Sequence, residues 1–148
     1  MGMYTELSIA VNLNLNTPQT VIDAVRAMSE GHEGFVPDPS IAAHPLFDTD
    51  RWSWMLISGG SAYFDGPTCC KFVRPYGHEG WKLLVHTNIK NYSKEWQRFL
   101  DFLGPYIEVN SEERAFIGHF RYEEDDEPTL LYVLPDGSVL WQGEDSYE

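Results

Sequence analysis

Every second residue near the N-terminus is large and apolar, and the residues between them are polar except for Ala10. The apolar members are Leu7, Ile9, Val11, Leu13 and Leu15. Successive side chains of a β-strand point to opposite faces, so a period of two predicts a strand that is buried on one side and wet on the other. A strand of this kind requires neighbouring strands and an apolar layer over its buried face.

Two stretches of helical periodicity are suited to form that layer. Val21, Val25 and Met28 recur at helical spacing before Gly31, and glycine commonly ends helices. A second and broader apolar stripe is closed by Gly104-Pro105 and consists of Trp96, Phe99, Leu100, Leu103 and Ile107. Both stretches predict helices that pack one face against the sheet.

The remaining apolar segments predict short strands separated by turn signals. They are residues 55–57, 62–65, 71–74, 81–89, 116–122, 129–134 and 139–142. We take the element order as β-α-β-β-β-α-β-β, which has fewer strands than there are apolar segments, in one domain that spans residues 1–148. Two helices among hairpin-connected strands predict an α+β fold, with an antiparallel sheet, both helices on one face and a ferredoxin-like topology with extra strands.

The composition predicts a cytoplasmic protein. No stretch approaches the ~20 apolar residues of a membrane-spanning helix, and the N-terminal residues have neither a basic flank nor an apolar secretory core. The two cysteines, Cys69 and Cys70, are adjacent, a spacing that suits neither an ordinary disulfide nor a chelating pair of metal ligands. Their spacing agrees with a reducing compartment.

The net charge of −13 is unevenly distributed. From Glu108 to Glu148 there are twelve acids and two bases, whereas Lys71 to Arg98 holds six bases and two acids. The acidic C-terminal part would repel phosphate backbones, so we expect no direct binding of nucleic acid. The basic middle band remains compatible with a small anionic ligand.

A run of five carboxylates, Glu123 to Glu127, lies between two predicted strands. Neighbouring carboxylates repel one another and therefore need water or a cation around them. The run lacks the spaced oxygen ligands and the turn glycine of a calcium loop. A solvated turn is the favoured interpretation, and a contact with a protein partner or a magnesium site are the alternatives.

A polar face of the sheet is the main candidate site. If the aromatic residues Phe116 and Phe120 face the helices, then His119 and Arg121 point to the opposite face. The same alternation in the other strands adds further polar side chains to that face, namely His86, Asn88, Ser8, Asn12 and Glu6. We interpret it as a solvated face, as a ligand platform or dimer interface, or as a hydrolytic centre with a histidine as general acid or base.

The segment "FDTDRWSWM" supplies a second candidate, because arginine and tryptophan together anchor interfaces and stack on planar ligands. The alternative is that its tryptophans fill the core and that Arg51 pairs with a local acid. The predicted ligand-binding residues are Arg121, His119, His86, Asn88, Arg51 and Trp52. No catalytic motif is present, and no catalytic residue, metal or cofactor is predicted.

Most of residues 4–133 resembles a group of small tailed-bacteriophage proteins of unknown function from Gram-positive hosts. The resemblance is most specific at Asp50-Arg51-Trp52 and at Arg121-Tyr122-Glu123-Glu124, and the sequence departs from the group at Gly59-Gly60-Ser61 and after Asp136. The segments that carry it are "TELSIAVNLNLNTPQTVIDAVRAM", "HPLFDTDRWSWM", "NIKNYSKEWQRFLDFLGPYI" and "FIGHFRYEEDDEPTLLY".

The resemblance implies an accessory protein that binds a host protein or sequesters a host defence signal. We therefore expect non-catalytic binding of a host partner or of a small anionic, nucleotide-like signal in the host cytoplasm. The alternatives are a small hydrolase acting on such a nucleotide and an acidic mimic of nucleic acid that inhibits a host enzyme. Five tryptophans and an uncovered sheet face predict a homodimer or a higher homo-oligomer.

Overall fold

The computed structural model describes residues 3–60 and 64–143. Its helices and strands are β1 (Thr5–Asn12), α1 (Gln19–Glu30), β2 (Cys69–Val73), β3 (Lys82–Ile89), α2 (Glu95–Leu103), β4 (Ala115–Tyr122), β5 (Thr129–Val133) and β6 (Val139–Gln142). Short 3-10 helices occupy Pro45–Asp48, Met55–Ile57 and Gly104–Tyr106. The fold is α+β, as the sequence predicts.

The six strands form one sheet in the order β2-β3-β1-β4-β5-β6, and every neighbouring pair is antiparallel. The N-terminal strand β1 therefore lies inside the sheet, between β3 and β4. Its alternation determines which face is buried, since its odd-numbered residues from Leu7 to Leu13 are almost completely covered.

A single core unites the sheet and both helices. The odd-numbered apolar residues of β1 share one buried cluster with Val21, Val25 and Met28 of α1. The same cluster takes in the stripe of α2 and the turn after it, which comprises Trp96, Phe99, Leu100, Leu103 and Ile107. Gly31 ends α1 with a left-handed backbone, at φ 65°.

The predicted order of elements is wrong on both sides of α2. Two strands lie between the helices and three follow α2. Residues 55–57, predicted as a strand, form a 3-10 helix in which Met55 and Leu56 are buried. Three apolar residues are too few to show the period of a strand or of a helix. Their apolar character predicts burial but does not distinguish a strand from a helical turn. Of the predicted strand 62–65, residues 62 and 63 lie outside the described residues, and Phe64 and Asp65 form a bend.

A β-bulge in β4 overturns the expectation that Phe116 faces the helices. The pairing of β4 with β5 shifts between Phe116 and Gly118, which places Ile117 in the core at 4% exposure. Phe116 is thereby turned to the opposite face, where 60% of it is exposed. Bulges commonly re-aim a side chain in this way.

We expect Gly118→Ala to lower the free energy of unfolding by at least ~2 kcal/mol. Gly118 has φ 151°, and a Cβ added to it would overlap the backbone carbonyl oxygen of Ser8 on β1. Backbone cannot yield as a flexible side chain does. Urea denaturation measures the loss.

Gly34→Ala is the matched control, because the nearest heavy atom to a Cβ there is 4.0 Å away. It should change stability by less than ~0.5 kcal/mol. Equal stability of the two variants would show that the bulge adapts to a side chain.

No helix among the described residues is both long enough and apolar enough to cross a membrane.

Candidate binding site

The face of the sheet turned away from the core, called the open face below, carries the candidate site. Directly paired residues of antiparallel strands point to the same side, so the register identifies its members. They are Glu6, Ser8, Ala10, Asn12, Cys69, Lys71, Val73, Lys82, Leu84, His86, Asn88, Phe116, His119, Arg121, Leu130, Tyr132, Leu140 and Gln142.

One buried carboxylate organises the polar part of this face. Glu6 is 4% exposed, and it pairs in register with Asn88 on one side and Arg121 on the other. A buried carboxylate is tolerated only where charges or hydrogen bonds compensate for the loss of water. Its surroundings supply both.

Three basic side chains converge on that carboxylate. His119 Nε2 lies 2.9 Å from Glu6 Oε1, and Arg121 Nε lies 3.8 Å from the same oxygen. His86 Nε2 lies 3.9 Å from Oε2. We call Glu6, His86, His119 and Arg121 the Glu6 cluster. Each basic side chain is about one-third exposed, so the cluster has a buried base and an accessible rim.

Arg121 is the least satisfied member of the cluster. Its Nε is buried and has no hydrogen-bond partner among the described residues. The guanidinium carbon lies 5.1 Å from the centre of the Phe64 ring, a cation–π contact that holds the planar group in place. An unsatisfied buried donor costs on the order of 1–3 kcal/mol. Because this nitrogen is buried, a ligand meets the exposed third of the Arg121 side chain rather than Nε.

The segment that contains Phe64 also borders His86. The carbonyl oxygen of Asp65 lies 3.4 Å from His86 Nε2. Phe64 itself is only 6% exposed, although it lies outside the sheet. Sequence reasoning missed its role, because residues 62–65 were predicted to be a strand.

Asn88, a predicted ligand-binding residue, is not presented to solvent. It is 3% exposed, and Gly60 lies directly against it. With φ 54°, Gly60 takes a backbone conformation that favours glycine, and a Cβ there would overlap the side chain and carbonyl oxygen of Asn88. Asn88 thus lies beneath the chain rather than on the accessible rim.

Arg51 and Trp52 belong to a different part of the molecule. Arg51 Nε lies 3.0 Å from Glu95 Oε2 at the start of α2, where the Glu95 side chain is 2% exposed. Trp52 packs edge-on against Phe47, with ring centres 4.9 Å apart, beside the core. Arg51 therefore pairs with an acid, but with the distant Glu95 and not with the local acid that the alternative predicted, and Trp54 is 40% exposed rather than in the core.

The acidic run lies in the turn between β4 and β5, and one of its members has a structural partner. Glu123 Oε1 accepts a hydrogen bond from the backbone N–H of Tyr4, at 2.8 Å. The Glu123 N–H in turn donates to the Tyr4 carbonyl, at 3.0 Å. Glu124, Asp126 and Glu127 are exposed.

The adjacent cysteines point to opposite sides of β2. Cys69 pairs in register with His86 on the open face, and Cys70 packs against the core. Burial, with a smaller contribution from Cys69, raises the pKa of the Cys70 thiol to about 12. A thiol of that pKa stays protonated near neutral pH and is therefore a poor nucleophile.

No group of three or more His, Cys, Asp or Glu side chains in residues 3–60 and 64–143 is arranged to hold a metal ion. Comparisons of this chain with protein-family models, with curated proteins and with solved structures found no match. The resemblance to phage proteins therefore remains a prediction.

Proposed function

We propose that this protein binds a small anion at the Glu6 cluster and does not convert it. The observation that carries the proposal is the convergence of His86, His119 and Arg121 on Glu6, with about one-third of each basic side chain exposed to a ligand. Arginine presents a planar fork of donors that matches phosphate and carboxylate oxygens. The Nε2 atoms of both imidazoles are directed at Glu6, so a donor for the anion comes from Nδ1 of the protonated form.

The charge of the open face supports an anionic ligand. Its strand residues include three bases, Lys71, Lys82 and Arg121, and one acid, Glu6. The chain as a whole carries −13. The open face is therefore a local exception to the repulsion that the rest of the protein exerts on an anion.

Arg121→Ala should weaken binding of inorganic phosphate by ~tenfold or more, because a hydrogen bond to a charged group contributes about 1.5–3 kcal/mol. Isothermal titration calorimetry at low ionic strength measures the affinity. Thermal denaturation of the same sample checks that the variant is folded.

The matched control is Arg26→Ala, which removes the same charge from an exposed position on α1. It should bind phosphate as the wild type does. If both variants bound phosphate equally well, or if the wild type bound none, the Glu6 cluster would not be an anion site.

The biological setting that we propose follows from the resemblance to phage proteins. In that setting the bound anion is a host signal, and sequestration in the cytoplasm is the activity. A host protein docked on the open face is the other form of the same proposal. Val73, Leu84 and Phe116 leave that face partly apolar, which also favours a homodimer.

We further infer that the fold is a ferredoxin-like unit extended by a hairpin. The order β2-β3-β1-β4, with α1 after β1 and α2 after β3, supports this inference. Strands β5 and β6 then form the added hairpin at one edge. Both helices contribute to the core on the side opposite the Glu6 cluster, so neither helix covers the cluster.

A hydrolase is the second candidate, and one contact favours it. The 2.9 Å contact between Glu6 and His119 is of the kind that orients a general base. Incubation with excess nucleoside phosphates tests it, since a hydrolase releases more product than there is protein. A His119→Gln variant must then lose that release. If the wild type leaves the nucleoside phosphates unchanged, the hydrolase is rejected.

A further inference from the structure

A cleft on the open face lies next to the Glu6 cluster, and no prediction from the sequence included it. It encloses a cavity of about 520 Å³. Its walls and floor on the open face are Ala10, Lys71, Val73, Lys82, Leu84 and Phe116. We call it the Phe116 cleft. Its volume falls within the range of ordinary small-ligand sites, which is about 300–1,000 Å³.

The aromatic wall of the cleft is fixed in position. The bulge in β4 turns Phe116 outward, and the ring of Tyr132 contacts it edge-on with centres 5.5 Å apart. The guanidinium of Arg114 lies 4.0 Å from the centre of the Tyr132 ring, a cation–π contact. Phe116 is thus held by neighbours while 60% of it remains exposed.

Leu84 forms the opposite wall of the cleft, and the small side chain of Ala10 forms its floor. Leu84 is 41% exposed and pairs in register with Ala10. Because β3 and β4 flank β1, the backbones that carry Leu84 and Phe116 are two strand spacings apart, ~10 Å. Alanine between them leaves room for a planar group that contacts Phe116.

The charge of the cleft suits an anionic ligand. Lys71 and Lys82 line it, and Glu108 is the acid at its edge. The Nζ of Lys82 donates to the Asn12 side-chain oxygen at 2.9 Å, which holds it on the open face. Along β1, Ala10 lies two residues (~7 Å) from Ser8, in the row of His86 and His119, and four residues (~14 Å) from Glu6, in the row of Arg121.

We propose that the Phe116 cleft holds the base of a nucleotide whose phosphate is bound by Arg121 and His119. This proposal rests on the proposed function, which supplies the phosphate site. The aromatic wall suits the base of a nucleoside 5′-phosphate, and the nearest row of the anion site, that of His86 and His119, lies ~7 Å along β1 from the floor of the cleft. Bases stack on exposed aromatic rings with little dependence on sequence, because every base has a π-face.

Calorimetry on the full chain with three probes separates the two sites. The probes are inorganic phosphate, ribose 5-phosphate and adenosine 5′-monophosphate at one ionic strength. We expect the nucleotide to bind ~tenfold more tightly than ribose 5-phosphate, as stacking on one aromatic ring predicts. Phe116→Ala should remove that advantage and leave ribose 5-phosphate unchanged, whereas Arg121→Ala should weaken all three probes.

Two control variants accompany Phe116→Ala. Phe116→Tyr keeps an aromatic face and should keep the advantage. Leu130→Ala removes a side chain of the open face that is 36% exposed and does not line the cleft, so it should leave the nucleotide affinity unchanged.

Each remaining outcome overturns a stated part of the proposal. Equal affinity for ribose 5-phosphate and the nucleotide would reject the base site and leave the phosphate site standing. Absence of binding by all three probes would reject the proposed function, and the base site with it. If Phe116→Ala instead changed the subunit count in sedimentation with no effect on nucleotide affinity, the cleft would be an interface between copies of this chain.

Discussion

Trp96→Ala should lower the free energy of unfolding by about 4 kcal/mol, the largest effect that we expect from one substitution. Trp96 is fully buried in the face of α2 that contacts the sheet. Its indole N–H also donates to the carbonyl oxygen of Thr5 on β1, at 2.9 Å. The variant leaves both a large cavity and a buried carbonyl without its partner. Urea denaturation followed by circular dichroism measures the change.

Two further variants identify the source of that effect. Trp96→Phe keeps most of the volume and loses the hydrogen bond, so it should cost about 1–2 kcal/mol. Trp54→Ala removes a tryptophan that is 40% exposed and should cost less than ~1 kcal/mol. Equal effects of the alanine substitutions at Trp96 and Trp54 would contradict the position of Trp96 at the centre of the core.

Arg51→Ala should lower the free energy of unfolding by about 3 kcal/mol, because it leaves the carboxylate of Glu95 buried without its counter-charge. The Glu95 side chain is 2% exposed and Arg51 Nε lies 3.0 Å from it. The double variant Arg51→Ala/Glu95→Gln should be more stable than Arg51→Ala, since the buried charge is gone. Urea denaturation of the wild type, of both single variants and of the double variant completes a double-mutant cycle.

Arg26→Ala again serves as the control for loss of one exposed positive charge, with an expected change below ~1 kcal/mol. Phosphate binding by Arg51→Ala adds a second readout. The contact with Glu95 predicts that folded Arg51→Ala binds phosphate as the wild type does. Loss of phosphate binding in that variant would return Arg51 to the ligand site that the sequence predicts for it.

The composition of the polar face was accessible from the sequence because it depends only on local periodicity. A period of two in β1, β3 and β4 puts Glu6, His86, His119 and Arg121 on the side away from the apolar residues, whatever the strand order. The central role of Glu6 was less accessible. Glu6 is the one acid among these basic side chains, and that was the signal in the sequence for its role. The burial of Glu6, however, depends on the strands on both sides of β1.

Where the period was broken or too short, the sequence predictions were wrong. The bulge at Gly118 reverses the direction of Phe116, and the Ser8 carbonyl of another strand leaves no room there for a Cβ. Residues 55–57 are too few to show a period, and their helical turn depends on contacts with the core. Arg51 had several acids within reach along the chain, and only the position of α2 selects Glu95.

The α+β class, the two helices, the buried face of β1 and the polar side chains opposite to it could all be predicted from the amino-acid pattern. These properties follow from the repeat of each strand and helix, which is local. Three features could be found only in the folded protein: three basic side chains meet on one buried carboxylate, Gly60 covers Asn88, and Phe116 borders a cleft. Those features depend on which strands are neighbours and on how closely their backbones approach. Both are determined by contacts between residues that are far apart in the chain.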